Sequence, residues 1–401
     1  MNEIQTIVES VQVGSPLSIC YNYIKDNYNF KHNVITGQIE DHSKKLNGRY
    51  LELDDREINT IFLKMSAKNA KIISKDFIFA FLQSNYIPDY NPFTDFIHRH
   101  EEIDRRQQLI EDLANTIETD TPNAFKFIKH WGCGMIASIF GSQSPLTLVL
   151  AGEKLNTGKT EWFRRLLPEE LKAYYTESAL DGGKDDDILM TKKLIIMDDE
   201  FGGKSKKDQR HFKGLTSRQN MSIRVPYGKT TKDLRRICSL CGTSNELELL
   251  SDPYGNRRIL PINVLSIDHE KYNAIDKNSL FMAFYDLYST GFHWKFKTED
   301  IKELNEASDK FHATNPEAEL IFEFFDVPNN NNNAVEMTNT AIKDYIEMRT
   351  RQRLFNPTKL GIELKNLGFQ QIQKKVNKTN QRVYRVILKK EPMTNNYPNP
   401  F

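Results

Sequence analysis

Lys159 and Thr160 follow an apolar segment and a glycine-rich turn, an order that suits the binding of phosphate groups. The apolar residues 146–151 have the composition of a buried strand, which ends at Gly152, and Gly158 precedes the lysine. Glycines let backbone N–H groups turn toward an anion, the lysine reaches terminal phosphates, and the threonine hydroxyl is a ligand for Mg²⁺. Five residues separate the two glycines, one more than usual. The expected nucleotide contacts are Gly152, Asn156, Thr157, Gly158, Lys159 and Thr160.

A second strand-like segment, residues 194–197, ends in the carboxylates Asp198, Asp199 and Glu200. At the carboxyl end of a strand, one carboxylate can hold the water shell of Mg²⁺ while its neighbour orients the attacking water. The usual order of apolar residues, Asp and Glu makes Asp199 the metal carboxylate and Glu200 the base. Asp198 occupies a position that is normally apolar, so the pair Asp198 and Asp199 is an alternative. An acidic turn that only ends a core strand is the remaining interpretation.

Hydrophobic periodicity predicts the elements that position these motifs. Residues 1 to about 140 are predicted to be helical and mixed, with apolar residues at three- and four-residue spacing in 57–87. Residues 89–122 begin at a proline turn and are predicted to continue as one charged amphipathic helix. A more apolar helix is predicted for 123–141. From residue 145 to about 300, strands alternate with helical stretches, which predicts a three-layer α/β domain.

Composition narrows the class of protein. The 55 Lys and Arg nearly balance the 54 Asp and Glu, and no apolar run approaches the ~20 residues of a membrane span. The N-terminus lacks the layout of a signal peptide, so we expect a cytoplasmic protein with no membrane partner. Cys238 and Cys241 have metal-like spacing but no second pair, and we interpret them as buried thiols.

The C-terminal part has a strong charge asymmetry. Between Arg349 and Lys390 there are twelve Lys or Arg and a single acid, Glu363. Three predicted helices, at 318–325, 337–351 and 358–369, precede a hairpin-like alternation around 377–380, which is the order of a winged-helix domain that binds DNA. A basic face that serves only solubility is the alternative. The expected DNA contacts of this part are Lys374, Lys375, Lys378 and Arg382.

Taken in order, the motifs resemble those of superfamily 3 helicases, and more closely those of the virulence-associated E family of phages and mobile elements. The similar segments are 156–160, 195–201, 224–228, 242–245 and 255–261. The resemblance covers roughly residues 70–300. It implies an α/β fold class with a P-loop core of the AAA+ type, preceded by a helical region and followed by the winged-helix domain.

The resemblance also implies roles for residues outside the phosphate loop. Asn245 matches a polar sensor of the γ-phosphate of ATP, and Lys229 and Lys232 match a hairpin that contacts DNA in the channel of a ring. Arg257 or Arg258 matches the arginine finger that reaches a neighbouring subunit's nucleotide, with Arg258 fitting slightly better. An arginine that acts in trans requires a homo-oligomer, for which a hexamer is expected.

The function expected from these motifs is an ATP- and Mg²⁺-dependent DNA helicase or translocase for the replication of a phage, plasmid or genomic island. An initiator that assembles on origin DNA without processive unwinding is an alternative, and a small-molecule P-loop kinase is a third. A primase partner is possible in such a system. The expected divisions are an N-terminal region for oligomerisation or docking, an ATPase domain, a winged-helix domain and a flexible tail, at 1–115, 116–310, 311–390 and 391–401.

Overall fold

The chain folds into two compact units, Met1–His312 and Ala313–Phe401. The computed structural model describes residues 14–46, 49–68, 73–180, 183–202, 206–224, 231–250, 256–312, 316–328, 334–350, 357–376 and 379–389. The chain is a mixed α/β protein, with helices and several separate sheets.

The first part of the larger unit is a small sheet covered by helices. Its strands lie in the order β3-β2-β1-β4, with β4 parallel to β1 and the other pairs antiparallel. Ser15 and Ser74 begin helices α1 and α3 by accepting a hydrogen bond from a backbone N–H three residues later. The elements are α1 (Pro16–Asn27), β1 (Phe30–Asn33), β2 (Ile39–Leu46), β3 (Arg49–Glu52), α2 (Asp55–Lys68), α3 (Lys75–Leu82) and β4 (Asp89–Tyr90).

The prediction of one charged helix over 89–122 is wrong. Asn91 caps a short helix by accepting hydrogen bonds from the Phe93 and Thr94 N–H groups, with Pro92 at its first position. That helix ends at Arg99, and a second helix and a strand follow. The charged amphipathic pattern of 89–122 continues across this break and gives no sign of the turn between the two helices. The elements are α4 (Pro92–Arg99), α5 (Gln108–Ala114) and β5 (Ile117–Thr119).

A six-stranded sheet forms the centre of the larger unit. Strand β5 already belongs to this sheet, and from the buried helix α6 onward the chain supplies the other five strands and their helices, with short 3₁₀ helices at Glu169–Tyr174 and Asp309–Phe311. The elements are α6 (Ala124–Ile139), β6 (Thr147–Ala151), α7 (Lys159–Arg164), β7 (Tyr175–Glu177), α8 (Lys184–Lys192), β8 (Ile195–Asp198), α9 (Lys206–Ser217), β9 (Asn220–Arg224), β10 (Thr231–Arg235), β11 (Ser239–Ser244), β12 (Ile259–Ile267), α10 (His269–Ala274), α11 (Lys277–Ser289) and α12 (Thr298–Ser308).

The order of the strands in this sheet is β5-β12-β6-β11-β8-β7, and all neighbours except β5 and β12 are parallel. Every residue of β6 is buried, with Leu148 and Leu150 in the core on one face and Val149 and Ala151 in the core on the other. Burial on both faces explains why this strand reads as a continuous apolar run. Because these strands are parallel, their carboxyl ends meet at one edge of the sheet. The predicted phosphate-binding loop and the acidic motif both begin at this edge.

In its described residues, the smaller unit has three helices, and its strands pair with the strand that ends at Leu388. That strand, β16, pairs antiparallel with β13, β14 and β15. The prediction of a helix from Met337 is wrong by two residues, because Met337 and Thr338 pair with β16 and the helix begins at Asn339. The elements are α13 (Pro316–Phe324), β13 (Phe325–Asp326), β14 (Val335–Thr338), α14 (Asn339–Thr350), α15 (Pro357–Asn366), β15 (Gln371–Val376) and β16 (Thr379–Leu388).

All four cysteines are free thiols in buried positions. Cys238 lies in the core on one face of the central sheet and Cys241 in the core on the other face. Two thiols on opposite faces of a sheet cannot bind one metal ion. Within the ranges described above, no helix is long and apolar enough to cross a membrane.

Candidate functional site

The loop between β6 and α7 is packed closely against the neighbouring strands. The Gly152 N–H donates to the Ser244 carbonyl at the end of β11, at 3.1 Å. A Cβ added at Gly152 would lie 2.6 Å from the Val264 carbonyl oxygen of β12, so a side chain has no room there. Gly158 has a φ of 86°, and a Cβ there would overlap the ring of His269. Both glycines are therefore required by close approach, as a loop that wraps an anion demands.

Two residues between these glycines prepare the loop for an anion. Asn156 has a φ of 58°, the left-handed conformation that a tight turn needs and that asparagine tolerates. The hydroxyl of Thr157 is buried and has no hydrogen-bond partner among the described residues. A buried hydroxyl without a partner costs free energy. A phosphate oxygen bound in the loop would satisfy it, so the loop fits the group that the sequence predicts.

Lys159 points into this loop. It is 6% exposed, and its Nζ donates to the carbonyl oxygens of Gly152 at 2.8 Å and Lys154 at 3.1 Å. Burial lowers the pKa of the Lys159 ammonium group below its ordinary value. The ammonium is thus held by neutral carbonyl dipoles, and no described carboxylate lies within ion-pair distance of it. A charged ligand in the loop would supply the missing counter-charge.

Asp199 joins the loop to the ends of two strands. The Thr160 hydroxyl donates to Asp199 Oδ1 at 2.6 Å. The Thr243 hydroxyl, near the end of β11, donates to the same oxygen at 2.8 Å and to the Asp199 backbone carbonyl at 2.8 Å. Because β6, β11 and β8 are adjacent and parallel, their carboxyl ends bring these three side chains together.

The other two carboxylates of the acidic motif differ in their surroundings. Asp198 is 8% exposed, and its Oδ1 accepts a hydrogen bond from the Glu200 N–H at 3.3 Å. Glu200 is exposed, and Asn245 is exposed directly after β11. Asp198 therefore shapes the turn after β8, while Asp199 and Glu200 extend beyond the edge of the sheet.

The donor atoms at this edge fit a Mg²⁺ ion that arrives with a nucleotide. Thr160 and Asp199 present a hydroxyl and a carboxylate oxygen, which are hard ligands of the kind that Mg²⁺ prefers. In the part of the chain that the structure describes, no group of three or more His, Cys, Asp or Glu could hold a metal ion by itself. Mg²⁺ commonly binds through one or two carboxylates plus substrate phosphates and water, and these residues match that pattern.

The paired arginines lie at the opposite edge of the sheet. The Arg258 carbonyl accepts from the Thr147 N–H at 2.7 Å, at the start of β6, whereas the loop follows the end of that strand. The Arg258 guanidinium is partly buried and donates to the Lys213 carbonyl at 3.2 Å and the Ser217 hydroxyl at 2.9 Å, in the last turn of α9. The Arg257 side chain is exposed. Neither arginine touches the loop of its own chain.

The basic hairpin is only partly described. Strands β9 and β10 pair antiparallel, with Thr231 opposite Arg224 and Lys232 opposite Ile223. The backbone of Lys232 therefore lies at the second position of β10. Lys229 lies outside the described residues, so its predicted DNA contact stays a prediction.

In the smaller unit, three of the predicted DNA contacts, Lys374, Lys375 and Arg382, lie on β15 and β16. Lys374 is exposed and forms an ion pair with Glu336 at 2.6 Å, and Arg382 is exposed on β16. Lys375 is described only by its backbone position in β15, and Lys378 lies outside the described residues.

Sequence reasoning did not single out two residues at the site. Thr243 lies within the segment 242–245 that carries the resemblance, and this was the available sequence signal; only the structure shows that it follows the residues of β11 that pair with the end of β8. His269 follows β12, and its ring covers Gly158. No motif surrounds His269, because the contact depends on β12 being the neighbour of β6 in the sheet.

Comparison with solved structures supports the fold. The apo structure of the NrS-1 C-terminal region (residues 305–718) has a TM-score of 0.50 and 12% identity, and covers 94% of this chain and 100% of that chain. Its A form has the same TM-score and coverage at 13% identity. Identities this low show similarity of fold alone.

The sequence comparisons differ in outcome. A search of curated proteins finds no match. The family model of the virulence-associated protein E-like domain matches residues 96–313, more than half of the chain and the whole region that holds the loop, the acidic motif and the arginines. The chain therefore belongs to the virulence-associated protein E-like domain family, as its motifs predict.

Proposed function

We propose that this chain is a Mg²⁺-dependent ATP hydrolase with a P-loop core of the AAA+ type. The observation that carries the proposal is the meeting of Thr160, Asp199 and Thr243 at the carboxyl edge of the parallel sheet, beside the buried Lys159. A structural turn would not need a lysine whose ammonium is surrounded by carbonyl oxygens, nor a buried hydroxyl without a partner. An ATP phosphate chain would satisfy both groups.

Each residue has a distinct role in this proposal. Lys159 and the loop N–H groups bind the β- and γ-phosphates, and Thr160 and Asp199 hold Mg²⁺, which neutralises charge on the phosphates when bound. Glu200, exposed beside Asp199, orients the attacking water and accepts its proton. Asn245 faces the same edge and contacts the γ-phosphate.

We further propose that the active enzyme is a ring, expected to be a hexamer. Arg257 and Arg258 lie beyond the start of β6, and the five residues of that strand alone span about 13 Å at 3.3 Å per residue. An arginine at this distance serves a nucleotide only across a subunit boundary. The resemblance favours Arg258, but its guanidinium already binds the end of α9, so the exposed Arg257 is our first candidate for the trans role.

The proposed work of the ring is the translocation or unwinding of DNA during replication of a phage, plasmid or genomic island. Support comes from the antiparallel basic hairpin and from the smaller unit, whose three helices and β15–β16 hairpin have the order of a winged helix. The alternative, an initiator that hydrolyses ATP to assemble on origin DNA, uses the same residues. A primase partner fits either role.

Strand displacement on a forked DNA substrate distinguishes these functions. The wild-type chain should hydrolyse ATP faster with single-stranded DNA and separate the strands, and Lys159→Ala should do neither while keeping its circular dichroism spectrum and unfolding midpoint. Hydrolysis without strand separation would favour the initiator. Hydrolysis that DNA does not stimulate, in a chain that stays monomeric with nucleotide and DNA, would refute the translocase.

A further inference from the structure

A cavity of about 580 Å³ lies between the small N-terminal sheet and the central domain, away from the phosphate loop. Its walls are β3, the segment around α4, the 3₁₀ helix Glu169–Tyr174 and Lys193. The volume is within the range of about 300–1,000 Å³ that small-molecule sites occupy. Both walls belong to the same compact unit.

Most charges that line the cavity are already neutralised by one another. Arg99 binds Asp95 at 2.9 Å and Glu170 at 2.7 Å, and Lys45 pairs with Glu170 at 3.6 Å. Glu40 accepts a hydrogen bond from Asn33 and another from the Tyr90 hydroxyl, and burial raises the pKa of the Glu40 carboxyl group. These groups hold the walls together and leave little net charge for a ligand.

Two cations in the cavity have no carboxylate partner among the described residues. The Nε atom of Arg49 is buried and makes no hydrogen bond. The Nζ of Lys193 donates to the Ala173 carbonyl at 2.7 Å, and burial lowers the pKa of its ammonium group. Glu52 raises that pKa and Arg49 lowers it, so these three charges share one region of the wall. An unpaired, partly buried guanidinium beside an ammonium is a site for an anion.

The remaining wall offers a flat ring and an acceptor. His42 stacks on the Tyr50 ring with a centroid separation of 3.6 Å and an interplanar angle of 15°, and the Lys45 Nζ lies over the same ring at 4.8 Å from its centroid. Glu52, exposed and free of any ion pair in the described part of the chain, can accept hydrogen bonds from hydroxyl groups. A ligand with an anionic group, neighbouring hydroxyls and a planar ring matches this set.

We propose that the cavity is a second nucleotide site that binds a free nucleoside monophosphate, with the phosphate between Arg49 and Lys193. The ribose hydroxyls donate to Glu52, as acidic residues accept from ribose in dinucleotide sites. The base lies against Tyr50. Two cations balance the charge of a monoester phosphate, which carries about −1.5 to −2 at neutral pH. The site senses nucleotide independently of hydrolysis at the loop.

The test uses the full-length Lys159→Ala chain, in which the loop site is disabled, and AMP as the probe in isothermal titration calorimetry. We expect saturable binding of one AMP per chain. Adding Arg49→Gln should weaken AMP binding about tenfold or more, as for one lost charge-assisted contact. The Arg49 Nε makes no hydrogen bond within the described ranges, so the fold should persist. Arg56→Gln, an exposed arginine on α2, is the matched control and should change nothing.

Several outcomes would overturn the proposal. These are the absence of saturable binding at millimolar AMP, and AMP binding that Arg49→Gln does not weaken. Inorganic phosphate that binds as tightly as AMP would refute the contacts to ribose and base. If a low concentration of a 5′-phosphorylated oligonucleotide displaces AMP, the ligand of the cavity is the end of a nucleic-acid strand and not a free nucleotide. ATP hydrolysis by the wild-type chain is measured in parallel, and its absence would contradict only the proposed ATPase.

Discussion

We expect opposite effects from substitution of Arg257 and of Arg258. Comparing the two variants is the strongest test of the proposed ring. Arg258 makes two hydrogen bonds to the last turn of α9, so Arg258→Ala should lower the free energy of unfolding by about 2 kcal/mol, at about 1 kcal/mol per bond. The helix end should survive, because Arg236 also donates to the Leu215 and Thr216 carbonyls. Arg257 is exposed, and Arg257→Ala should change stability by less than about 0.5 kcal/mol.

For ATP hydrolysis we expect the reverse order, with the larger effect from Arg257→Ala and the smaller effect from Arg258→Ala. If Arg257 stabilises charge on a neighbour's transferring phosphoryl, Arg257→Ala should lower the rate of ATP hydrolysis by about 10³-fold or more. ATP binding should be retained, since the loop is intact. The assay is steady-state hydrolysis by the oligomer, combined with urea unfolding of each variant.

Mixing experiments show whether the arginine acts in trans. Arg257→Ala subunits mixed with Lys159→Ala subunits should regain hydrolysis, because some junctions then pair an intact loop with an intact arginine. Several mixing ratios are needed in case hydrolysis requires cooperation around the ring. Wild-type turnover by Arg257→Ala, together with loss and rescue for Arg258→Ala, would refute our assignment and restore the one that the resemblance favours. Rescue of neither variant would refute the trans mechanism.

Three further predictions test separate parts of the structure. Glu200→Gln should bind ATP and lose turnover, whereas normal turnover in Glu200→Gln with loss in Asp199→Asn would make Asp199 the base. Alanine at both Lys229 and Lys232 should spare basal hydrolysis and abolish its stimulation by single-stranded DNA; an equal loss of basal activity would place the hairpin at the ATP site. Burial lowers the pKa of His42 to about 4. Between about pH 6.5 and pH 4, the imidazole is therefore protonated in the unfolded state and neutral in the folded state. The free energy of unfolding should therefore fall as the pH drops from about 6.5 to about 4, and His42→Phe should lose this component in denaturant titrations, whereas an unchanged pH profile would contradict it.

Local sequence determined the elements that carry chemistry. The continuous apolar run of β6, the glycines around the loop and the carboxylates after β8 are each encoded within a few residues, because burial on both faces and close backbone approach restrict residue type. Family membership followed from the same short motifs and is confirmed by the match over 96–313.

Elsewhere, local patterns were insufficient. Strand β2 and the break between α4 and α5 were missed, because β2 depends on pairing with β1 and β3 and the break interrupts a charged stretch that reads as one helix. The last two residues of β14, Met337 and Thr338, fall in the stretch that the local pattern predicts as helix, because their pairing partners lie about 50 residues away in β16.

Only the tertiary structure decided which side chains meet. Thr243 reaches Asp199 because β11 lies between β6 and β8, and His269 covers Gly158 because β12 lies on the other side of β6. Arg49 and Lys193, neither of which pairs with a carboxylate in the described part of the chain, share a cavity although more than 140 residues separate them along the sequence. Strand order is set by the packing of both faces of the sheet, and no short stretch of sequence records it.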